Sequence, residues 1–142
     1  RAQTLANVGQ YRKASLDFGE YEKLMRGSLN AQFYYIKYQT ELNGKLYQQA
    51  MNDIAKAIEY APNNAVFYAE KASLEIRVNY IDEAMLTASK CISIAPEYSD
   101  GYLFLGLAQC LKGNKAEGIK NLTKAKELGD EQAASLIEKY GK

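Results

Sequence analysis

Two stretches of the chain decide how the rest is read: IAKAIEYAP at residues 54–62 and ASKCISIAP at residues 88–96. Each is a helical run of small and apolar residues that ends in Ala-Pro. Pro62 and Pro96 are the only prolines, and they stand 34 residues apart. A proline just past a helix end stops it, because it has no N–H to donate and disfavours the α conformation in the residue before it. The same spacing recurs in four series: Tyr34, Tyr68 and Tyr102; Ala50, Ala84 and Gly118; Ile54, Ala88 and Leu122; Ala57, Cys91 and Ala125. Every member is small, apolar or aromatic, so each series marks a packing position.

Between these markers the apolar spacing is helical. It predicts helices over residues 31–43, 46–60, 65–78, 81–94, 100–112, 115–128 and 131–140. The breaks at 43–45, 79–80 and 113–114 contain Gly and Asn, which tolerate the left-handed conformation that ends a helix. Such short breaks force neighbouring helices to run antiparallel. Asn64, Ser99 and Asp130 stand where N-caps are wanted. Before residue 31, Gly9-Gln10-Tyr11 followed by Ala14 and Phe18 reads as the second half of a further unit.

Composition limits the chemistry. Hydrophobic residues make up 47% and charged residues 25% of 142 residues, enough for one folded domain with a core. There are 18 Lys and Arg against 17 Asp and Glu, so nothing in the overall charge favours nucleic acid. Lys112, Lys115, Lys120, Lys124 and Lys126 against Glu117 and Glu127 read as a solvated helix surface. The absence of His removes the commonest general base and metal ligand. Cys91 and Cys110, in different helical segments among apolar neighbours, read as buried free thiols. No nucleophile–base pair, phosphate-cradling glycine loop or metal spacing is present, so the reading is of a non-enzyme with no catalytic residues, no cofactor and no metal. No run reaches the ~18 apolar residues of a membrane span. Arg1 in place of Met reads as a cut N-terminus. The compartment is then the cytoplasm or, if a leader was removed, a bacterial periplasm or cell envelope.

The recurring residues resemble the tetratricopeptide repeat, W-x2-L-G-x2-Y…A-x3-F…P at a 34-residue period. The best unit reads Tyr102-x2-Leu105-Gly106, then Gly118-x3-Leu122. The unit before it reads Tyr68-x2-Lys71-Ala72, then Ala84-x3-Ala88 and Pro96. The earliest full one reads Tyr34-x2-Lys37-Tyr38, then Ala50-x3-Ile54 and Pro62. Departures are Tyr for Trp, Lys37 and Lys71 for Leu, and Tyr38 where a small residue is usual. The resemblance implies an all-α fold: a right-handed superhelical stack of antiparallel helix pairs with a C-terminal capping helix. One domain over 1–142 is expected, divided into a partial repeat 1–30, repeats 31–64, 65–98 and 99–130, and a capping segment 131–142.

The resemblance also implies where a ligand would sit, since the first helix of each pair lines a concave groove in that family. Carried over by spacing, the stripe is Gln32, Tyr35, Gln39 and Asn43; Val66, Ala69, Ser73 and Arg77; Asp100, Leu103, Leu107 and Leu111, with Glu70 and Phe104 at the rim. The candidate peptide-binding residues are Tyr35, Gln39, Asn43, Ser73, Arg77, Asp100 and Phe104, with Tyr38 a further ligand candidate. Leu103, Leu107 and Leu111 are read as packing. Some family members hold the C-terminal carboxylate of heat-shock chaperones with Lys and Asn along this face. Here Tyr35, Gln39, Glu70, Asp100 and Phe104 occupy those places, which argues against that ligand. The implied function is a protein-interaction module that holds a protein or peptide partner. The alternatives are a self-associating spacer that pairs through its truncated N-terminal end, or the regulatory part of an enzyme.

Overall fold

Helix–turn–helix geometry follows from where the chain can reverse. In the computed structural model, which describes residues 31–141, the described residues form seven helices and no strand. They are α1 (Ala31–Asn43), α2 (Tyr47–Tyr60), α3 (Ala65–Arg77), α4 (Ile81–Ile94), α5 (Ser99–Leu111), α6 (Lys115–Glu127) and α7 (Glu131–Tyr140). Each lies within one residue of its expected bounds at either end. The expected half-unit around Gly9 and Phe18 lies outside the described residues.

The three hairpin turns repeat one another at the 34-residue period. Lys45, Asn79 and Gly113 all have positive φ, at 61°, 68° and 96°. The residue after each closes a wide turn onto the preceding helix: Leu46 N–H to Glu41 O at 2.8 Å, Tyr80 N–H to Glu75 O at 2.7 Å, and Asn114 N–H to Gln109 O at 2.8 Å. This is the Schellman closure, which needs one left-handed residue and satisfies carbonyls that the helix end would leave open. In the first turn the left-handed residue is Lys45 rather than the neighbouring Asn43 or Gly44. Gly129, at φ 103°, closes α6 in the same way, with Asp130 N–H donating to Ala125 O at 3.0 Å.

Capping follows two of the three expected residues. Asn64 Oδ1 accepts from Val66 N–H at 3.0 Å and Phe67 N–H at 3.4 Å. Asp130 Oδ1 accepts from Gln132 N–H at 2.9 Å and Ala133 N–H at 3.3 Å. Ser99 is instead the first residue of α5, and Tyr98 holds the cap position without a side-chain bond.

The described residues fall into two compact units that divide between Pro62 and Asn63. In the first, α1 packs on α2. Tyr34 is buried, stacks on Tyr60 with ring centroids 5.6 Å apart, and lies under the Lys56 ammonium at 5.4 Å. Tyr38, Ala50, Ile54 and Ala57 complete this core. In the second unit α3 packs on α4, α5 on both α4 and α6, and α7 on α6 and α5. At its end Leu103, Leu122, Ala125 and Ala133 are buried together, with Tyr102, Phe104, Leu136 and Ile137 around them. The last helix therefore covers apolar surface left open by the hairpin before it.

The crossing point of α5 and α6 is made by glycine. A Cβ added at Gly106 would meet the Gly118 carbonyl oxygen at 2.8 Å and Leu122 Cγ at 2.9 Å. One added at Gly118 would meet the Gly106 carbonyl oxygen at 2.8 Å and would collide with Cys110 Sγ. The corresponding pair in the second hairpin is Ala72 and Ala84, both fully buried. Gly118 costs α6 some helix propensity, but in the fold it is what lets the two backbones touch.

Two stability changes follow. Lys45→Gly relieves a left-handed non-glycine residue worth about 1 kcal/mol, and should raise the thermal midpoint in circular dichroism by roughly 2–4 °C. Gly118→Ala should lower it although alanine is the better helix former. Overpacking a tight contact costs about 1–3 kcal/mol, more than the roughly 1 kcal/mol gained in propensity.

Candidate functional site

Residues separated by seven and eleven positions share one stripe of an α-helix, because these spacings are close to two and three whole turns. On α1 such a stripe is Gln32, Gln39 and Asn43, all exposed. On α3 it is Val66, Ser73 and Arg77; Val66 and Arg77 are exposed and Ser73 is half-buried. On α5 it is Asp100, Leu107 and Leu111; the first two are half-buried, and Leu111 keeps 46% of its surface in solvent. The three stripes are one set of positions at the 34-residue spacing. Those of α3 and α5 belong to the same unit, on helices that pack against each other.

The position three residues into this stripe behaves differently. Ala69 and Leu103, which the spacing also places on it, are only 2% exposed. Their side chains turn into the core, Leu103 against Leu122, Ala125 and Ala133. Tyr35, at the same position of α1, is half-buried and stacks on Tyr38 with centroids 5.9 Å apart and planes 17° from parallel. Tyr38 itself is 1% exposed and cannot meet a ligand, so that expectation is corrected: its ring fills the first hairpin's core and props Tyr35.

The other candidates divide as follows. Asp100 accepts a hydrogen bond from the Tyr98 hydroxyl at 2.8 Å, which fixes its carboxylate beside the start of α5. Burial and that carboxylate both push the Tyr98 phenol well above its ordinary range. Phe104 is half-buried against the Leu103 cluster. Ser73 and Arg77 lie one turn apart on α3, and Gln39 and Asn43 one turn apart on α1. Leu111, read from sequence as packing, is the exposed apolar residue that the reading underweighted. The signal was there: positions 43 and 77, its counterparts, are both polar, so the site faces water in every hairpin.

Elsewhere, a surface hollow of about 470 Å³ on the last hairpin is lined by Tyr102, Lys120, Asn121, Thr123, Lys124 and Glu127. Both charge signs line it, in keeping with a solvated surface. Among the described residues no group of three or more acidic, Cys or His side chains is placed to hold a metal ion. Among them also, no helix is long and apolar enough to cross a membrane.

The cysteines are both free thiols. Cys91 is buried, and its Sγ–H points to the Ala65 carbonyl at 3.3 Å, tying α4 to the first residue of α3. Burial, helped by Asp100, pushes its thiol up to about 11. Cys110 is half-buried; burial raises it too, while Lys115 pulls the other way.

No known family model matches the chain. Over 95 residues it is 30% identical to the small glutamine-rich tetratricopeptide repeat-containing protein 2 of Saccharomyces cerevisiae, covering 67% of this chain and 28% of the relative. The crystal structure of MamA superposes with a TM-score of 0.78 at 25% identity, over 94% of this chain and 77% of that one. The first tetratricopeptide-repeat domain of Spaghetti (RPAP3), bound to the HSP90 peptide SRMEEVD, superposes at 0.75 and 19% identity, over 79% of this chain and 90% of that one. The chain is built of tetratricopeptide repeats. In this repeat the departures become intelligible. Tyr34 fills the usual tryptophan site as a fully packed ring, while Tyr68 and Tyr102 do so half-buried.

The thiols give a direct check on the packing. At pH 8 a thiol with a pKa near 11 is only about 0.1% thiolate, and Cys91 is also out of solvent. Titration with a disulfide reagent should modify Cys110 slowly and Cys91 only after denaturation. Equal rates in the folded protein would mean that α3 and α4 are not closed over Cys91.

Proposed function

We propose that this repeat protein is a non-catalytic interaction module that holds a peptide segment of a partner protein along the exposed stripe of α3 and α5. The observation that carries this reading is the stripe on α3 and α5. It offers apolar contact at Val66, Leu107 and Leu111, a cation at Arg77, and small or polar groups at Ser73 and Asp100. An extended or helical segment with one or two apolar side chains and a nearby carboxylate suits that chemistry. Gln39 and Asn43, with Tyr35, would serve the same purpose on α1, as amide partners and a rigid aromatic edge. Phe104 would act through its support of the same helix face. The repeat boundaries that go with this reading are 31–64, 65–98 and 99–130, closed by 131–142.

A neighbouring fold holds the HSP90 peptide SRMEEVD, which carries three acidic residues among its last four. For this chain we infer a less acidic ligand, since Arg77 is the one cation on the α3 and α5 stripes. The yeast relative is more than three times as long as the matched segment, so the partner belongs to the proposal as well.

The test is selection from a random peptide library on the immobilised chain, followed by titration of the enriched peptides. Arg77→Glu with Leu111→Ser should weaken binding about tenfold or more, while helicity is unchanged. Enriched peptides that bind this double variant as well as the parent would remove the stripe as the site. A concentration-dependent dimer in sedimentation, with no peptide enriched, would favour self-association instead.

A further inference from the structure

The hairpins share a polar feature that the repeat pattern does not ask for. Positions 41, 75 and 109, one period apart, are Glu41, Glu75 and Gln109, close to the end of each first helix. Positions 53, 87 and 121 on the second helices are Asp53, Thr87 and Asn121. Glu41, Asp53, Glu75 and Thr87 are buried at 0%, 4%, 4% and 8% exposure, so each of the first two hairpins encloses polar groups within itself. In the third hairpin the contact is neutral and complete: the Asn121 amide donates to Gln109 Oε1 at 2.7 Å and to the Glu117 carbonyl at 3.2 Å. In the first, Lys37 Nζ lies 3.5 Å from Asp53 Oδ1, both well shielded from solvent.

The middle hairpin has neither arrangement. Glu75 Oε2 is 3.8 Å from Lys71 Nζ, too long for a strong charged hydrogen bond, and the lysine side chain is 30% exposed. Glu75 Oε1 is buried and meets no hydrogen-bond partner. Burial is the largest influence on this carboxyl and disfavours its charge, while Thr87 on α4 and Lys71 act against it as hydrogen-bond partners of the carboxylate. The Thr87 hydroxyl also lies 2.9 Å from the Glu83 carbonyl, so its one proton is divided between two acceptors. The charged groups that act on the site are Lys71 on α3 itself and Glu83 on α4, which oppose one another. Helix α5 brings one charged residue, Asp100, and that is held by Tyr98. A buried carboxylate with an open oxygen is expensive, and the neutral acid escapes that charge penalty.

We propose that Glu75 is a built-in proton site: it binds a proton in the folded protein at pH values where an exposed glutamate is already ionised, and the α3–α4 hairpin loosens as that proton leaves. Desolvation acts in the same direction, raising the Glu75 carboxyl above 4.5. The sign follows from linkage. Between 4.5 and the folded-state value the native protein holds more protons than the unfolded chain, so stability falls as pH rises through that window, and the loss is complete above it. This is opposite to the trend for salt-bridged carboxylates.

The chain's third hairpin supplies the control. Glu75→Gln, and the pair Glu75→Gln with Thr87→Asn that copies Gln109 and Asn121, are compared with the parent by thermal melting from pH 4 to pH 8. Near pH 4 the parent and the single variant should melt within about 1 °C of each other. By pH 8 both variants should melt roughly 3 °C or more above the parent. A difference that does not change with pH, or a parent that remains the more stable at pH 8, overturns the proposal. Carbon-13 titration of the Glu75 carboxyl in the unmodified protein gives the answer even if the variants fold poorly. A midpoint above 4.5 is expected, and one at or below the ordinary glutamate value rules the site out.

Discussion

The described fold depends on how closely the two helices of a hairpin can pass. Where α5 crosses α6, the Gly106 and Gly118 backbones leave no room for a Cβ; at the same place in the second hairpin, Ala72 and Ala84 are fully buried. Small residues at a crossing let the larger ones on either side interdigitate. Leu74 and Leu122 are nearly or fully buried in this way, and Leu103 packs with Leu122 at 2% exposure. The turn completes the constraint. One left-handed residue and one long backbone bond, repeated at Lys45, Asn79 and Gly113, return the chain at the angle that brings those small residues together.

A core built on alanine and glycine buries little area per residue, so a hairpin of this kind gains from further apolar cover. The last hairpin shows this: Leu103 and Leu122 are closed over by Ala133 of α7, which begins at the Asp130 cap. The polar groups at 41, 53, 75 and 87 run against the same economy. Buried polar groups add less to stability than apolar ones, and what they can supply is register, because only one alignment of the two helices satisfies them. The third hairpin satisfies its pair with two amides, whereas the second leaves a carboxyl that is comfortable only with a proton.

The stripe that remains outside is a consequence of that packing. Once positions 69 and 103 are drawn inward, positions 66, 73 and 77 and positions 100, 107 and 111 form the outer side of α3 and α5. Their chemistry is mixed, with apolar ends, one cation and one acid held by Tyr98. Such a mixed apolar and polar surface suits recognition of a peptide.

Helix bounds, turns and two of three caps were legible in the sequence by itself, because they rest on local rules: proline stops, left-handed Asn or Gly, and an Asx oxygen over free N–H groups. The 34-residue recurrence likewise determined that the units are repeats, since Tyr, Ala and Gly return at fixed places whatever surrounds them. The candidate stripe was legible only as a line of positions. Which members of it face water was decided by packing between helices: Leu103 and Leu111 are both leucines on one helix, yet one fills the core and the other is half in solvent. Tyr38 was misread for the same reason, and the close approach at Gly118 was not legible along its own helix. A large ring and a missing side chain look like irregularities along one helix, and only the position of the second helix shows that the ring fills a gap and the missing side chain makes room. The proton site proposed at Glu75 belongs to the tertiary structure alone, because it arises from burial of the carboxyl between α3 and α4 with one oxygen left without a partner.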